Sequence, residues 1–242
     1  MKITTIGIDI AKSVFHLFAV NRAGKLVKKK MLKRKELLAY VAKLESCKIA
    51  MEACGGANYW AREFKKLGHE AVLIAPQYVI PYRRGNKNDY NDAEAIAEAA
   101  DRPNMRFVSI KCVEQQDVQM LHNMRQRLNK QCTALVNQVR GMLAEYGIVI
   151  HKGKSAFRIQ LPEILENAEN QLTTTGRVIF SELHQEFIDI EDKLKACEKK
   201  INAENSINAI CQRLDGILGV GPITATAVYA AAGDGKEFEN GR

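Results

Sequence analysis

The chain has 242 residues, a formal net charge of +8 at pH 7 and an isoelectric point near 9.1. It contains no run of 18 apolar residues and no signal-peptide pattern, which argues against a membrane or secreted protein and favours the cytoplasm. Its six cysteines are scattered without a C-x-x-C pair, which argues against a structural zinc site and a disulfide framework. The basic excess favours a polyanionic partner such as a nucleic acid.

Residues 1–105 predict a mixed α/β domain. ITTIGIDI (3–10) is β-branched and apolar without polar alternation, as in a buried central strand. The predicted strands are 3–10, 14–20, 25–32, 47–53 and 70–76, and the predicted helices are 34–45, 55–68 and a third beginning near residue 89. The first three strands form a meander, and the later strands alternate with helices. This order indicates a mixed sheet with helices packed on it.

Two aspartates open the third helix. In GNKNDYNDAEAIAEA (85–99) the alternating alanines favour helix, and Asn88 or Asp89 is the expected N-cap. Asp89 and Asp92 then share one face of the first turn, with Cβ atoms about 5–6 Å apart. Acidic residues in a first turn also complement the helix dipole, which is the ordinary explanation for such a pair.

Two further carboxylates lie in predicted buried strands. Asp9 stands in GIDIAK and Glu52 in KIAMEA, where an ionised group is costly unless it is paired or holds a metal. A lysine such as Lys12 can satisfy one of them. If the two strands are neighbours and the helix beginning near residue 89 crosses their ends, Asp9, Glu52, Asp89 and Asp92 converge. Four hard oxygen ligands suit Mg²⁺ or Mn²⁺ and the two-ion chemistry of phosphoryl transfer.

Residues 106–205 predict a helical region. Long amphipathic helices over 111–147 and 177–204, joined by a polar loop, indicate an antiparallel coiled-coil arm, with an ordinary helical bundle as the alternative. The apolar seam predicts a homo-oligomer, dimer or tetramer. The glycine-rich segment within 206–242, GVGPITATA, is typical of a helix-hairpin-helix turn near a DNA phosphate, or of a simple tight turn between helices.

Basic residues form three groups that are candidates for binding nucleic-acid phosphates. They are Lys28, Lys29 and Lys30; Arg83, Arg84 and Lys87; and Arg125 and Arg127. Protection of an edge strand against aggregation also explains the first group. The second group directly precedes the aspartate pair, so cations here flank a predicted acidic site.

The combined motifs resemble the Piv/MooV-type DEDD transposases. These are insertion-sequence recombinases whose N-terminal domain has a RuvC-like, ribonuclease-H fold. The matching segments are GIDIAK (7–12), MEACGGANYW (51–60), KNDYNDAEAIAEA (87–99) and GVGPITATAVYAAAGDGKEFENGR (219–242). The resemblance covers essentially the whole chain and implies an acidic catalytic and metal-binding tetrad of Asp9, Glu52, Asp89 and Asp92.

The resemblance also implies partners and a second catalytic group. Family members are expected to recombine DNA, guided by a structured RNA, through the tetrad and a serine nucleophile near a Ser-Gly-Gly-Lys-like sequence. That serine is expected after the F-x-N-G-R segment, which ends here at Arg242. We therefore expect this chain, an incomplete transposase, to keep the fold, the magnesium site and part of the nucleic-acid surface but not complete strand exchange.

Two other functions remain possible from the residues alone. Sugar kinases and actin-like ATPases also begin with a glycine-flanked aspartate on the first strand, but they need a later Asp-rich phosphate loop. A non-catalytic nucleic-acid-binding protein with structural carboxylates is the other alternative. Divalent-metal dependence without nucleotide binding separates the transposase from both.

Overall fold

The computed structural model describes residues 2–85, 88–233 and 235. The chain divides into two compact units, one formed by the described residues of 1–114 and 232–242, and the other by Gln115–Ala231. Within the described ranges, no helix combines the length and apolar character needed to cross a membrane.

The first unit is built on a mixed sheet, in the order β3-β2-β1-β4-β5-β6. Its strands are β1 (Thr5–Ile10), β2 (Val14–Val20), β3 (Leu26–Lys33), β4 (Lys48–Glu52), β5 (Glu70–Ile74) and β6 (Phe107–Val108). Strands β1, β4 and β5 pair in parallel, whereas β2, β3 and β6 pair antiparallel to their neighbours. This confirms the predicted RuvC-like mixed α/β fold. The short edge strand β6 was not predicted.

Helices cover both faces of this sheet. They are α1 (Leu37–Val41), α2 (Ala57–Lys66), α3 (Pro76–Val79) and α4 (Asp89–Ala100), and 3₁₀ turns span Arg34–Glu36 and Ile80–Tyr82. On one face Ile6 and Ile8 pack with Trp60 and Phe64 of α2. On the other face Ala50 of β4 packs with the alanine-rich side of α4. The sheet is therefore buried on both sides, which explains the continuous apolar run in β1.

The second unit is helical. The described helices that lie wholly or almost wholly within it are α5 (Val113–Ala144), α6 (Lys154–Glu166), α7 (Thr174–Ile207), α8 (Ala209–Asp215) and α9 (Pro222–Ala232). Both predicted long helices are present, as α5 and α7. Helix α6 was not predicted, and its Phe157 and Leu161 join Leu143 and Phe187 in one core. The coiled-coil arrangement of α5 and α7 stays a prediction.

The glycine-rich segment of this unit lies between α8 and α9. Gly219 adopts a φ of +87°, a conformation that residues with a Cβ rarely adopt. The segment is therefore a turn between helices, which both interpretations of GVGPITATA require.

Candidate metal-binding site

The strand register brings two of the predicted carboxylates side by side. Strands β1 and β4 pair in parallel as far as Ile8 and Met51, and the next residues along each strand are Asp9 and Glu52. Glu52 itself pairs with Ile74, which lies in the core beneath α4. Both carboxylates therefore belong to the sheet face that α4 covers, because side chains at equivalent register positions share a face.

Gly7 explains how α4 reaches this face. A Cβ added at Gly7 would lie 2.1 Å from the carbonyl oxygen of Ala93 and 2.5 Å from the amide nitrogen of Ala97. The backbone of α4 therefore packs directly on β1, and the small residues at both contacts permit it. Asp89 is one helical turn before Ala93, so this packing carries the first turn of α4 towards the carboxyl end of β1, where Asp9 lies.

The first turn of α4 is capped as predicted. The side chain of Asn88 accepts a hydrogen bond of 2.9 Å from the amide of Tyr90. Asp89 and Asp92 follow within the turn, where the positive end of the helix dipole favours negative charge. The two differ in exposure, since the side chain of Asp89 is 63% exposed and that of Asp92 only 11%.

Asp9, Asp89 and a histidine come together closely. Each contributes a potential ligand atom, and these atoms lie within 4.8 Å of one another. The histidine is His16 of β2, which is directly opposite Asp9 in the antiparallel register. Its Nδ1 is 3.4 Å from Oδ2 of Asp89.

The electrostatics of Asp9 connect all four predicted carboxylates. Burial is the largest cause that raises the pKa of Asp9, followed by the negative charges of Asp92 and Asp89, while His16 opposes the shift and Glu52 adds to it. Lys12, proposed as a structural partner, is exposed and is not among these causes. The site is therefore crowded with negative charge, and a bound cation would relieve that crowding.

Asp92 has a different cationic partner. The Nε of Arg83 lies 2.5 Å from Oδ1 of Asp92, and both side chains are largely buried. Neither atom has a hydrogen bond of normal geometry within the described chain. The pair is therefore held by charge rather than by a well-directed hydrogen bond, and Asp92 is the member of the acidic set that Arg83 neutralises.

These residues suit a divalent cation. Carboxylate oxygens from β1, β4 and α4 are the donors that Mg²⁺ and Mn²⁺ prefer. Asp9 and Asp89 could hold an ion directly. Glu52 and Asp92 act on Asp9 through charge, and their direct coordination of metal stays a prediction.

Strand alternation separates the three consecutive lysines of β3. Lys29 pairs with Phe18, and its ammonium lies 4.9 Å from the Phe18 ring centre and 6.0 Å from that of Tyr90 in α4. Lys28 and Lys30 point to the opposite face, where their ammonium groups lie 5.6 Å and 4.2 Å from the Tyr40 ring. Lys29 is therefore the lysine of this run that shares the sheet face of the acidic site.

The predicted nucleic-acid-binding arginines already have partners within their own units. Arg84 is 3.0 Å from Glu98, and Arg125 donates a 2.8 Å hydrogen bond to Glu198. Arg127 donates a 3.0 Å hydrogen bond to Gln131. Lys87, also predicted to bind nucleic acid, lies outside the described residues. Any phosphate contact by these arginines must therefore compete with an existing interaction.

His16 and the Arg83–Asp92 pair were missed from the sequence. The position of His16 could have been inferred from the short turn between β1 and β2. In an antiparallel hairpin that pairs Ile10 with Phe15, the next pair is Asp9 with His16. The Arg83–Asp92 pair follows from the irregular segment after the Ile80–Tyr82 turn, and no spacing rule indicates it.

The strand order is that of a ribonuclease-H-like domain of the RuvC type. Its carboxylates lie at the ends of two adjacent parallel strands and on the helix that crosses them. A model of the IS110-type DEDD transposase family, described as "Transposase", matches residues 6–148. The chain belongs to this transposase family, a class of DNA-rearranging enzymes.

Curated relatives extend the similarity over the whole chain. A probable family 20 transposase of Pseudomonas aeruginosa is 43% identical over 243 residues, which cover 100% of this chain and 72% of the relative. The transposase for insertion sequence element IS1111A of Coxiella burnetii is 44% identical over 240 residues, 99% of this chain and 66% of the relative. The transposase for insertion sequence element IS1328 of Yersinia enterocolitica is 34% identical over 240 residues, 99% of this chain and 71% of the relative.

Proposed function

We propose that this chain is the RuvC-like and helical part of an insertion-sequence transposase whose acidic tetrad, Asp9, Glu52, Asp89 and Asp92, holds Mg²⁺ or Mn²⁺. One observation carries the proposal: the register of β1, β4 and β5 and the close packing of α4 on Gly7 bring Asp9, Glu52 and the first turn of α4 to the same face and end of the sheet. Burial and the charges of the other three carboxylates raise the pKa of Asp9, and a bound cation would relieve that crowding.

The chemistry follows from the positions of the carboxylates. When bound, the divalent ions supply activation of an attacking oxygen and stabilisation of a leaving oxygen in phosphoryl transfer. The central strand fixes the backbone of Asp9, and the first turn of α4 fixes the backbones of Asp89 and Asp92, so these residues are positioned before substrate arrives. Arg83 lies 2.5 Å from Asp92 and supplies the positive charge beside that carboxylate.

DNA and a structured guide RNA are the proposed nucleic-acid partners. Lys29 stands on the face of the acidic site, so it is placed to contact a phosphate near the reacting strand. The cationic groups contact backbone and supply little sequence preference, which we assign to the guide RNA. Membership of a transposase family favours a nucleic-acid substrate over the nucleotide substrate of the ATPase alternative.

Three further proposals come with this function. We assign residues 1–105 to the RuvC-like domain, 106–205 to the helical region and 206–242 to the start of a C-terminal transposase domain that carries the serine nucleophile. Residues 111–204 mediate assembly into a dimer or tetramer. A protein acting on bacterial or archaeal chromosomal DNA works in the cytoplasm, associated with the nucleoid.

The metal site is tested by thermal unfolding of the purified chain with EDTA, Mg²⁺ or Mn²⁺. A ligand that binds only the folded state at 100 times its Kd stabilises by about 2.7 kcal/mol, which raises the Tm by roughly 5–10 °C in a chain of this size. We expect such a rise for the wild type. We expect it to be lost in Asp9→Asn and strongly reduced in Asp92→Asn.

Glu45→Gln is the matched control. Glu45 precedes β4, at the opposite end of the strand from Glu52, and its side chain is 76% exposed and paired with Lys2. The metal-induced rise should be unchanged in this variant. An equal rise in the wild type and Asp9→Asn would show that the cations bind elsewhere, and ATP alone should not shift the Tm.

A further inference from the structure

We propose that His16 is a direct nitrogen ligand of the ion held by Asp9 and Asp89, and that the site consequently prefers Mn²⁺ or another transition-metal ion to Mg²⁺. The inference rests on the proposed metal site and adds a ligand to it. His16 belongs to β2, outside the strands and helix that carry the acidic tetrad.

The distances fit a shared ion. The ligand atoms of Asp9, His16 and Asp89 lie within 4.8 Å of one another. Ligand atoms bound to one ion at about 2.0–2.2 Å lie at most about 4.4 Å apart. Side-chain movements of a few tenths of an ångström therefore bring all three into one coordination sphere, and the exposed carboxylate of Asp89 is free to make them.

His16 is held in place by its surroundings. Its side chain is 12% exposed, and its ring lies edge-on to Tyr90 with the ring centres 4.7 Å apart at an angle of 78°. Its backbone is fixed between β1 and β3 by the register that pairs it with Asp9 and Met31. The ring therefore needs little reorganisation to coordinate an ion.

Within the described part of the chain, the Nδ1 atom of His16 is a buried polar atom without a hydrogen bond. It is buried and has no hydrogen bond from or to any residue in the described ranges, although it faces Asp89 at 3.4 Å. A buried polar atom without a hydrogen bond destabilises the folded state. Coordination would satisfy this nitrogen and place it on the same ion as the neighbouring carboxylates.

A nitrogen ligand changes which ion the site prefers. Mg²⁺ takes an almost entirely oxygen-donor set, whereas imidazole suits transition-metal ions. A site of His16, Asp9 and Asp89 is a mixed nitrogen and oxygen set. The wild-type protein should therefore bind Mn²⁺ more tightly than Mg²⁺, and removing the imidazole should narrow that difference.

Pulsed electron paramagnetic resonance of the full chain loaded with Mn²⁺ alone tests this assignment directly. We expect a directly bound ¹⁴N signal in the wild type and its loss in His16→Gln. His151→Gln is the matched control, because His151 is an exposed histidine of the other unit, and it should keep the signal. We also expect the Mn²⁺ affinity of His16→Gln to fall about tenfold, with little change in Mg²⁺ affinity.

Isotope labelling gives the same answer without a substitution. In wild-type protein grown with ¹⁵N-histidine, the coupling between Mn²⁺ and the bound nitrogen should change from that of ¹⁴N to that of ¹⁵N. This measurement uses no His16 variant, so it still tests the assignment if His16→Gln fails to fold. Bound Mn²⁺ without directly coupled histidine nitrogen would overturn the assignment of His16 and leave the carboxylate site standing. Failure of the wild type to bind Mn²⁺ at all would overturn the proposed metal site as well.

Discussion

The two ends of α4 hold acidic residues in opposite electrostatic situations. At the C-terminal end, Glu98 pairs with Arg84 and Arg102. Just beyond it, Asp101 accepts a 2.8 Å hydrogen bond from the hydroxyl of Thr5 and lies 3.6 Å from the ammonium of Lys48. The carboxylates at this end are satisfied by the protein itself.

The N-terminal end has the reverse balance. Four carboxylates act on one another there, and within the described residues the nearby cationic partners are Arg83 for Asp92 and His16, when protonated, for Asp89. Acids on a single helix are thus paired with cations at one end and crowded against one another at the other. The raised pKa of Asp9 marks the end where positive charge is in short supply.

Replacing Arg83 should give the largest effect. Arg83→Gln leaves Asp92, 11% exposed, without its cationic partner. Losing one partner of a largely buried pair should cost about 2 kcal/mol here, a Tm lower by roughly 4–8 °C in EDTA. Mg²⁺ or Mn²⁺ should recover most of that loss by neutralising Asp92. A Tm drop that divalent ions leave unchanged would show that Arg83 is structural and independent of the metal site.

Asp101→Asn is the corresponding change at the other end of α4. It weakens the hydrogen bond from Thr5 and the exposed pair with Lys48, for a cost of about 1 kcal/mol, or roughly 2–4 °C in Tm. Divalent ions should raise the Tm of this variant by the same amount as that of the wild type. If they instead repaired its loss specifically, the distinction between the two ends would be wrong.

Asp9→Asn should stabilise the metal-free protein. Because burial and neighbouring carboxylates raise the pKa of Asp9, the folded state binds its proton more tightly than the unfolded state. The stability that the protonated form provides is complete below the unfolded pKa and is lost as pH rises through the raised folded pKa. The variant should therefore melt about 2 °C above the wild type at pH 7 in EDTA, after allowance for solvent screening.

The pH profile supplies the control for this substitution. The Tm difference between Asp9→Asn and the wild type should vanish near pH 3, where the wild-type carboxyl is protonated in both states. A variant less stable than the wild type at pH 7 would contradict the charge-crowding account.

The smallest expected effect comes from replacing Lys29 or Lys30, which lie on opposite faces of β3. Lys29→Gln should reduce the slope of log affinity against log salt for a mixed-sequence duplex DNA by about 0.9, the contribution of one phosphate contact. Lys30→Gln removes the same charge from the opposite face, where it lies over Tyr40, and should change the slope little. Equal slopes for both variants would remove Lys29 from the nucleic-acid path.

The elements around the site were largely predictable from local sequence. Strand β2 spans Val14–Val20 as expected, and Asn88 caps α4 because its side chain is suited to that position. Pro76 was interpreted only as the end of a strand. Proline is also favoured in the first turn of a helix, and here it begins α3. Helix α6 contains Pro162, which hid its helical pattern.

The contacts within the site were less predictable. Asp9 and Glu52 follow from buried charge in apolar strands, a signal visible in sequence. The position of His16 opposite Asp9 depends on strand register, and the Arg83–Asp92 pair depends on the path of an irregular segment. Both are tertiary properties, set by how the sheet and α4 pack rather than by any local preference.

Crystals of the chain soaked in Mn²⁺ test the central claim most directly, through the anomalous scattering of the ion. The account predicts an anomalous peak at the N-terminal end of α4, within coordination distance of Asp9 and Asp89, and none beside Glu98 or Asp101. A peak confined to the C-terminal end, or no peak with the carboxylates of Asp9 and Asp89 unchanged in position, would contradict it.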